Sequence, residues 1–281
     1  MKKQLVASFS GGRTSAYLCS LIKKLHHDAV FVFMDTGAEH PATYDFVKQC
    51  NDYFGLNLVC LRAVVDMQFG IGVNYKVVDI NEIGDDLQPW RDMSLKYGLP
   101  YHGGAFCTDG MKTTPCKKYL EDVYGVGNYH IWLGMRIDEP KRLKPKEGFS
   151  YLADISDFEK QDILDWWAKM PFDLQIKEHL GNCVFCIKKG VNKIALAAKD
   201  EPQLADKFIK MINMDDVRIV PSRTTGNNAM YRQSMSLESI IDLYAEMPRD
   251  KLAKTIRSTF ETGSCSESCE AFSGEQLGFD L

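Results

Sequence analysis

The sequence predicts an α/β fold, a Rossmann-like parallel sheet with helices on both faces over roughly residues 1–180, followed by a helical region from 181 to 281. Three observations predict it. Strand-like runs at 3–9, 29–34 and 57–62 alternate with helical patterns, so the first sixty or so residues read β-α-β-α-β. The run AVFVFM at 29–34 is continuously apolar, which suits a parallel strand buried on both faces. Between the first strand and the first helix stands a corner of paired glycines and small hydroxyls, SFSGGRTS, Ser8 to Ser15.

Each element follows in order. Residues 3–9 read as a strand and 13–27 as a helix opening just past Gly11-Gly12. After the strand at 29–34, Pro41 starts a helix, because its missing N–H falls where no helical partner exists. Tyr44, Phe46, Val47 and Cys50 supply that helix's apolar positions. A strand at 57–62 precedes a glycine- and aromatic-rich stretch, 70–105, expected as a long loop with a short helix near 90–97. Pro115 opens a helix through Tyr124, and 129–135 reads as a strand. A helix is expected over 157–170 with Asp157 as its N-cap, and helical stretches at 191–212 and 235–258. Beyond Gly263 the tail is small, polar and acidic.

Composition bounds the class. Of 281 residues, 45% are hydrophobic and 26% charged, enough apolar material to build a core. No run approaches the roughly 18–20 apolar residues of a membrane span. The N-terminus runs straight into the glycine corner, without a signal peptide's longer apolar region and cleavage site, so a cytoplasmic protein with no membrane partner is expected. A net charge of −4 argues against a nucleic-acid coat protein but leaves room for a local basic groove. Three basic clusters are candidates for one: Lys112 with Lys117 and Lys118, Lys141 to Lys146, and Lys188, Lys189 and Lys193. Solvated faces are the plainer reading of each.

A glycine-rich strand-to-helix turn presents backbone N–H groups at the positive end of a helix dipole, a geometry that receives phosphate. Gly11 and Gly12 permit close approach, Ser10, Thr14 and Ser15 add hydroxyls, and Arg13 adds charge. A tight turn with a serine cap is the plainer alternative. The spacing and the missing Gly-Lys-Ser/Thr ending exclude a Walker A loop.

The loop SGGRTS resembles the SGGxxS pyrophosphate loop of the PP-loop ATP pyrophosphatases and the related phosphoadenylylsulfate (PAPS) reductases. Asp35 to Tyr44, DTGAEHPATY, looks like the DTGxExPxT segment of the reductase branch, and Gly134 to Glu139, GMRIDE, like its GxRxDE segment. The resemblance implies an adenine nucleotide alpha hydrolase-like fold that binds an adenine nucleotide, ATP with Mg²⁺. The implied nucleotide contacts are Ser8, Ser10, Gly11, Gly12, Arg13, Thr14, Ser15, Asp35, Thr36, Gly37, Gly134 and Arg136. Asp35, Arg136 and Asp138 are the implied catalytic residues. In this reading Asp35 holds Mg²⁺ or orients a ribose, Arg136 neutralises phosphate charge, and Asp138 and Glu139 carry Mg²⁺ or pair with Arg142. All three blocks fall at carboxyl ends of predicted strands, where open α/β sheets bind ligands.

The chain has nine cysteines. An odd count without a signal peptide argues against a disulfide framework. Cys19, Cys50 and Cys60 read as small core residues. Cys107 opens CTDGMKTTP, which looks like the CTxxxKxxP segment of the same branch, and Cys183 and Cys186 form a CxxC. In adenylylsulfate reductases a double-cysteine block and a distant CxxC ligate a [4Fe–4S] cluster; here Phe106 replaces the first cysteine of that block. The resemblance thus implies an iron–sulfur cluster at Cys107, Cys183 and Cys186, with Cys116 as a candidate fourth ligand. Zinc held by thiolates and free thiols are the alternatives. Cys183 and Cys186 with Cys265 and Cys269 would also satisfy zinc. The tail lacks the Glu-Cys-Gly-Leu-His motif of PAPS reductases, and Glu267 and Glu270 would raise a thiol's pKa, so Cys265 and Cys269 are not expected to be redox nucleophiles.

Together these readings predict an enzyme that binds ATP-Mg, adenylates an acceptor with release of pyrophosphate, and serves sulfur transfer to a nucleic-acid base, in tRNA or DNA, or to a small molecule. A PAPS or adenylylsulfate reductase is the alternative, and a catalytically silent nucleotide-binding module a third. A homodimer or a subunit of a larger complex is compatible with each.

Overall fold

A computed structural model describes residues 2–221, 226–258 and 272. Its core is a six-stranded sheet: β1 (Gln4–Phe9), β2 (Val30–Met34), β3 (Val59–Val64), β4 (Asn74–Val78), β5 (Tyr129–Leu133) and β6 (Phe149–Tyr151), in the order β4-β3-β2-β1-β5-β6. All neighbours are parallel except β3 and β4. The expected parallel, doubly wound sheet is therefore present, with one antiparallel edge.

Alternation along the central strands sorts the cores. Ala7, Phe9, Phe31, Phe33 and Cys60 face one side, where they pack with α1 (Arg13–Leu25), α2 (Pro41–Phe54) and α5 (Lys160–Trp167). Val6, Val32, Met34, Leu61, Ile131 and Leu133 face the other, against Cys116, Tyr119 and Leu120 of α4 (Thr114–Tyr124). Register keeps like with like, Ala7 beside Phe31 and Phe9 beside Phe33. Burying side chains such as these contributes roughly 1.5–3 kcal/mol each. A third cluster joins α3 (Gln88–Tyr97) with α6 (Val191–Asp200), α7 (Pro202–Ile212), α8 (Leu237–Leu243) and α9 (Arg249–Ser258). Trp90, Met93, Ile187, Ile194 and Leu237 lie inside it.

Local chemistry sets the ends. Pro41 occupies the first turn of α2, and His40 caps it by accepting from the Ala42 N–H at 3.1 Å. Gly55 closes it in the left-handed region.

Four differences from expectation have physical causes. Residues 74–78, expected as loop, pair with β3, and an exposed edge strand lacks the continuous apolar pattern that marks a central one. The three-residue β6 is too short to leave a pattern. α5 begins at Lys160 with Glu159 as N-cap, because Glu159 and Asp162 form the reciprocal capping pair that Asp157 does not. The stretch 191–212 breaks at Glu201-Pro202, where proline cannot continue the preceding helix. Among the described residues, no helix is long and apolar enough to cross a membrane.

Candidate functional site

The glycine corner connects β1 to α1. Gly11 adopts φ +80°, and a side chain there would meet Thr43 Cγ2 at 2.8 Å, so α2 packs directly on the loop. The Ser10 and Ser15 hydroxyls stand 2.9 Å apart, and Ser15 Oγ accepts from the Ser10 N–H at 3.1 Å. The first turn of α1 holds no acidic residue to compete for its dipole.

Arg136, just past β5, is buried. Its guanidinium donates to Thr14 Oγ1 at 3.3 Å and grips Asp138 at 2.8 and 3.2 Å. Glu139 accepts from the Arg136 N–H at 3.0 Å and pairs with Arg142. Asp138 and Glu139 are therefore arginine partners here. Ser10 through Ser15, Thr43 and Arg136 line a cavity of about 240 Å³. Ile163, Leu164, Leu174, Ile176, Lys177 and Asn182 line it too. Hydroxyls and an arginine thus meet at a helix N-terminus, an arrangement suited to polyanions.

The DTGAE segment does something different. Asp35 is fully buried at the end of β2 and does not line that cavity. Arg62 of β3 donates to Asp35 Oδ2 at 2.6 Å, while the Gly37 N–H and the Tyr44 hydroxyl donate to Oδ1 at 2.9 and 3.1 Å. Burial, opposed by Arg62 and reinforced by Glu39, raises its carboxyl to about 6. Thr36 is also buried and donates to Glu39 Oε2 at 2.6 Å. Gly37 has φ +71°, with Asp86 and the Leu87 backbone closing over its missing side chain. Both Asp35 oxygens are engaged by the protein, so this carboxylate does not fit a Mg²⁺ ligand. Ser8 lies buried on β1 beside Val32, and Gly134 follows β5.

Glu39 gathers a second set of groups. Its Oε2 accepts from Thr36 and from Tyr44 at 3.1 Å, and its Oε1 lies 3.4 Å from Lys112 Nζ. The Cys183 thiol donates to the same Oε1 at 3.8 Å and sits 3.6 Å from Thr36 Oγ1. The Val184 N–H donates to the Ala38 carbonyl at 3.0 Å, so the CxxC turn is stitched to the DTGAE loop. Glu39 was legible only as a letter of the DTGxE block, and Lys112 as a letter of CTxxxK and a member of a basic cluster. Arg62 carried a weaker signal, a charge closing an apolar strand.

The cysteine candidates separate. Cys183 and Cys186 belong to the C-terminal helical cluster, with Cys107 packed against it. Cys116 belongs to the core on the α4 face, where burial pushes its thiol up to about 12. Among the described residues, no three His, Cys, Asp or Glu side chains converge as a metal-ligand set. Cys116 is thus set apart from Cys107, Cys183 and Cys186, which gather at one hydrophobic cluster. Cys265 and Cys269 lie outside the described residues. Cys19, Cys50 and Cys60 are core residues as expected.

The basic clusters are partly internal. Lys112, Lys189 and Lys193 are buried, and Lys189 donates to the His179 and Val184 carbonyls at 2.8 and 2.9 Å. Lys146 lies 4.2 Å from the centre of the Phe149 ring.

Comparison with known proteins agrees with the architecture. The nin region protein ORF290 of Escherichia phage lambda is 50% identical over 284 residues, covering 98% of this chain and 97% of that protein. Two Methanocaldococcus jannaschii proteins match in part. One is 32% identical over 114 residues, 41% of this chain and 22% of its own length; the other is 28% identical over 125 residues, 44% and 21%. Among solved structures, a phosphoadenylyl-sulfate (PAPS) reductase from Candida auris in a phosphate complex aligns over 59% of this chain and 72% of that one, with 13% identity and a TM-score of 0.36. The family model described as "Phosphoadenosine phosphosulfate reductase domain" matches residues 4–170, which span the sheet, the glycine corner and the Arg136 segment. With more than half of its length matched, the chain belongs to the phosphoadenosine phosphosulfate reductase domain family.

Proposed function

We propose that the chain binds the polyphosphate of ATP at Ser10–Ser15 and adenylates an acceptor with release of pyrophosphate, as the first half of a sulfur transfer to a nucleic-acid base or a small molecule. The observation that carries this reading is the Arg136 contact with Thr14, which brings a buried guanidinium to the N-terminus of α1 from 122 residues away. In the reaction, an acceptor oxygen attacks the α-phosphorus and the bond to pyrophosphate breaks. A sulfur nucleophile then displaces AMP. The N-terminus of α1, the Ser10 and Ser15 hydroxyls and Arg136 receive the charge that grows on the leaving pyrophosphate. Mg²⁺ accompanying the nucleotide would supply further charge neutralisation. Residues 1–180 form the nucleotide-binding unit in this reading, and 181–281 complete the site beside it.

The family match and the Cys183 thiol beside Glu39 favour a second reading, a sulfonucleotide reductase. One assay separates the two. The protein is incubated with ATP, a sulfide source as the sulfur nucleophile, and tRNA, DNA or small-molecule acceptors, and pyrophosphate and AMP are followed. Equal release of both, lost in Arg136→Met, is expected. Sulfite release from PAPS with a thiol reductant, and no pyrophosphate from ATP with any acceptor, would overturn the adenylation reading.

A further inference from the structure

Arg13 stands in the glycine corner, yet its guanidinium is spent elsewhere. It donates to both carboxylate oxygens of Asp173 at 2.6 and 2.9 Å and to the Leu174 carbonyl at 2.5 Å. The segment it grips, 172–176, contains neither helix nor strand. Two of that segment's residues, Leu174 and Ile176, line the same cavity as the loop. Immediately beyond, the chain is pinned: Lys177 and His179 reach Asp200 at 3.0 and 3.1 Å. Immediately before, Trp167 is fixed by its indole N–H donating to the Arg13 carbonyl at 3.0 Å. The segment is a strap with firm ends; Arg13 is its polar tie to the loop, while Phe172 and Leu174 pack on the core beneath it.

One feature conflicts with a polyphosphate here. Asp173 places a negative charge directly on the loop's own arginine, where it repels an incoming anion. If Arg13 exchanges Asp173 for phosphate, a bidentate partner of the same geometry and higher charge, the strap loses its polar tie to the loop.

We propose that Arg13 and Asp173 form a phosphate-released latch, in which a polyphosphate entering the loop takes the Arg13 guanidinium and frees the 172–176 strap. The proposal rests on the reading that the loop receives a polyphosphate. It assigns Arg13 a role beyond static binding, and Asp173 a role no sequence motif indicated. Arg13 and Asp173 are only partly exposed, 25% and 30% by side chain, so the pair acts as a modest competitor that an ATP-strength ligand can displace.

Hydrogen–deuterium exchange over 171–176 and calorimetric affinity test it, using the wild-type chain, Asp173→Asn and Arg13→Lys, with ATP and inorganic tripolyphosphate as probes. ATP and tripolyphosphate should each raise strap exchange in the wild type. Asp173→Asn should exchange rapidly without ligand and bind ATP about fivefold more tightly, the effect of removing a partly exposed ion pair of about 1 kcal/mol. Arg13→Lys, which loses the bidentate fork, should also show a loose strap without ligand, and reads the latch if Asp173→Asn does not fold. Binding of either probe without strap release, or ATP affinity in Asp173→Asn equal to or below the wild type, overturns the latch alone. Strap release by tripolyphosphate without any ATP binding keeps the latch and overturns the nucleotide reading. No binding of either probe overturns both.

Discussion

The Lys112 ammonium lies 3.4 Å from the Glu39 carboxylate, and both side chains are almost sealed from solvent. This pair joins the segment after β2 to the helical turn Asp109–Thr113 that leads into α4, and the Cys183 thiol touches the same carboxylate oxygen. Removing one partner leaves a buried charge uncompensated. Lys112→Met should lower unfolding free energy in urea by about 3–5 kcal/mol. The double variant Lys112→Met with Glu39→Gln should recover much of that loss, because neither charge then needs a partner. A double variant no more stable than the single would show that the pair is not the source of the effect.

The two glycines of the corner should respond differently to the same methyl group. Gly11 combines φ +80° with a 2.8 Å approach to Thr43 Cγ2, so Gly11→Ala strains the backbone and pushes α2 from the loop. A loss of about 1–3 kcal/mol is expected, together with ATP binding. Gly12 has φ −100° and meets nothing nearer than Ser10 Oγ at 3.9 Å. Gly12→Ala should keep its melting temperature close to the wild type, and thermal melts of both variants check the contrast.

Ser10 and Ser15 are the hydroxyl pair that the nucleotide reading requires. Ser10→Ala with Ser15→Ala should weaken ATP binding by about tenfold or more, the scale of a hydrogen bond to a charged group. Calorimetry reads the loss, and unchanged affinity would place the phosphates elsewhere.

Two carboxylates should shape the pH dependence with opposite signs. Asp35 is raised to about 6 from 3.8, so the folded chain holds a proton that the unfolded chain has released. Its contribution is most favourable below about pH 4 and is lost as pH rises through 6. Asp200 is lowered, first by hydrogen bonding from Arg249 at 2.7 and 2.8 Å and then by Lys177. Its contribution is present above its ordinary 3.8 and is lost as pH falls below that value. Urea titrations between pH 3 and 8 should show Asp35→Asn flattening the slope from 4 to 6, and Asp200→Asn removing part of the acid decline.

The sequence already carried the doubly wound sheet, because its central strands are continuous apolar runs and its helices open at glycine or proline, signals within a few residues of each other. The glycine corner and Arg136 were legible for a related reason: short motifs at strand ends sit where open sheets bind ligands. β4 and β6 were not legible, since an edge strand and a three-residue strand leave little pattern to read.

The surroundings of the acidic and cysteine residues were decided by packing. Asp35 carries the motif of a ligand-facing carboxylate, yet Arg62, Gly37 and Tyr44 enclose it, three partners that no local spacing predicts. Cys116 follows CTxxxK closely in sequence but points into the core on the α4 face, apart from Cys183 and Cys186. Arg13 lies inside the phosphate motif and is claimed by Asp173, 160 residues away. Local sequence determines which backbone turns and helix termini can form. Which charges meet across them depends on long-range folding, because a buried carboxylate or guanidinium must find its partner wherever the tertiary structure brings one.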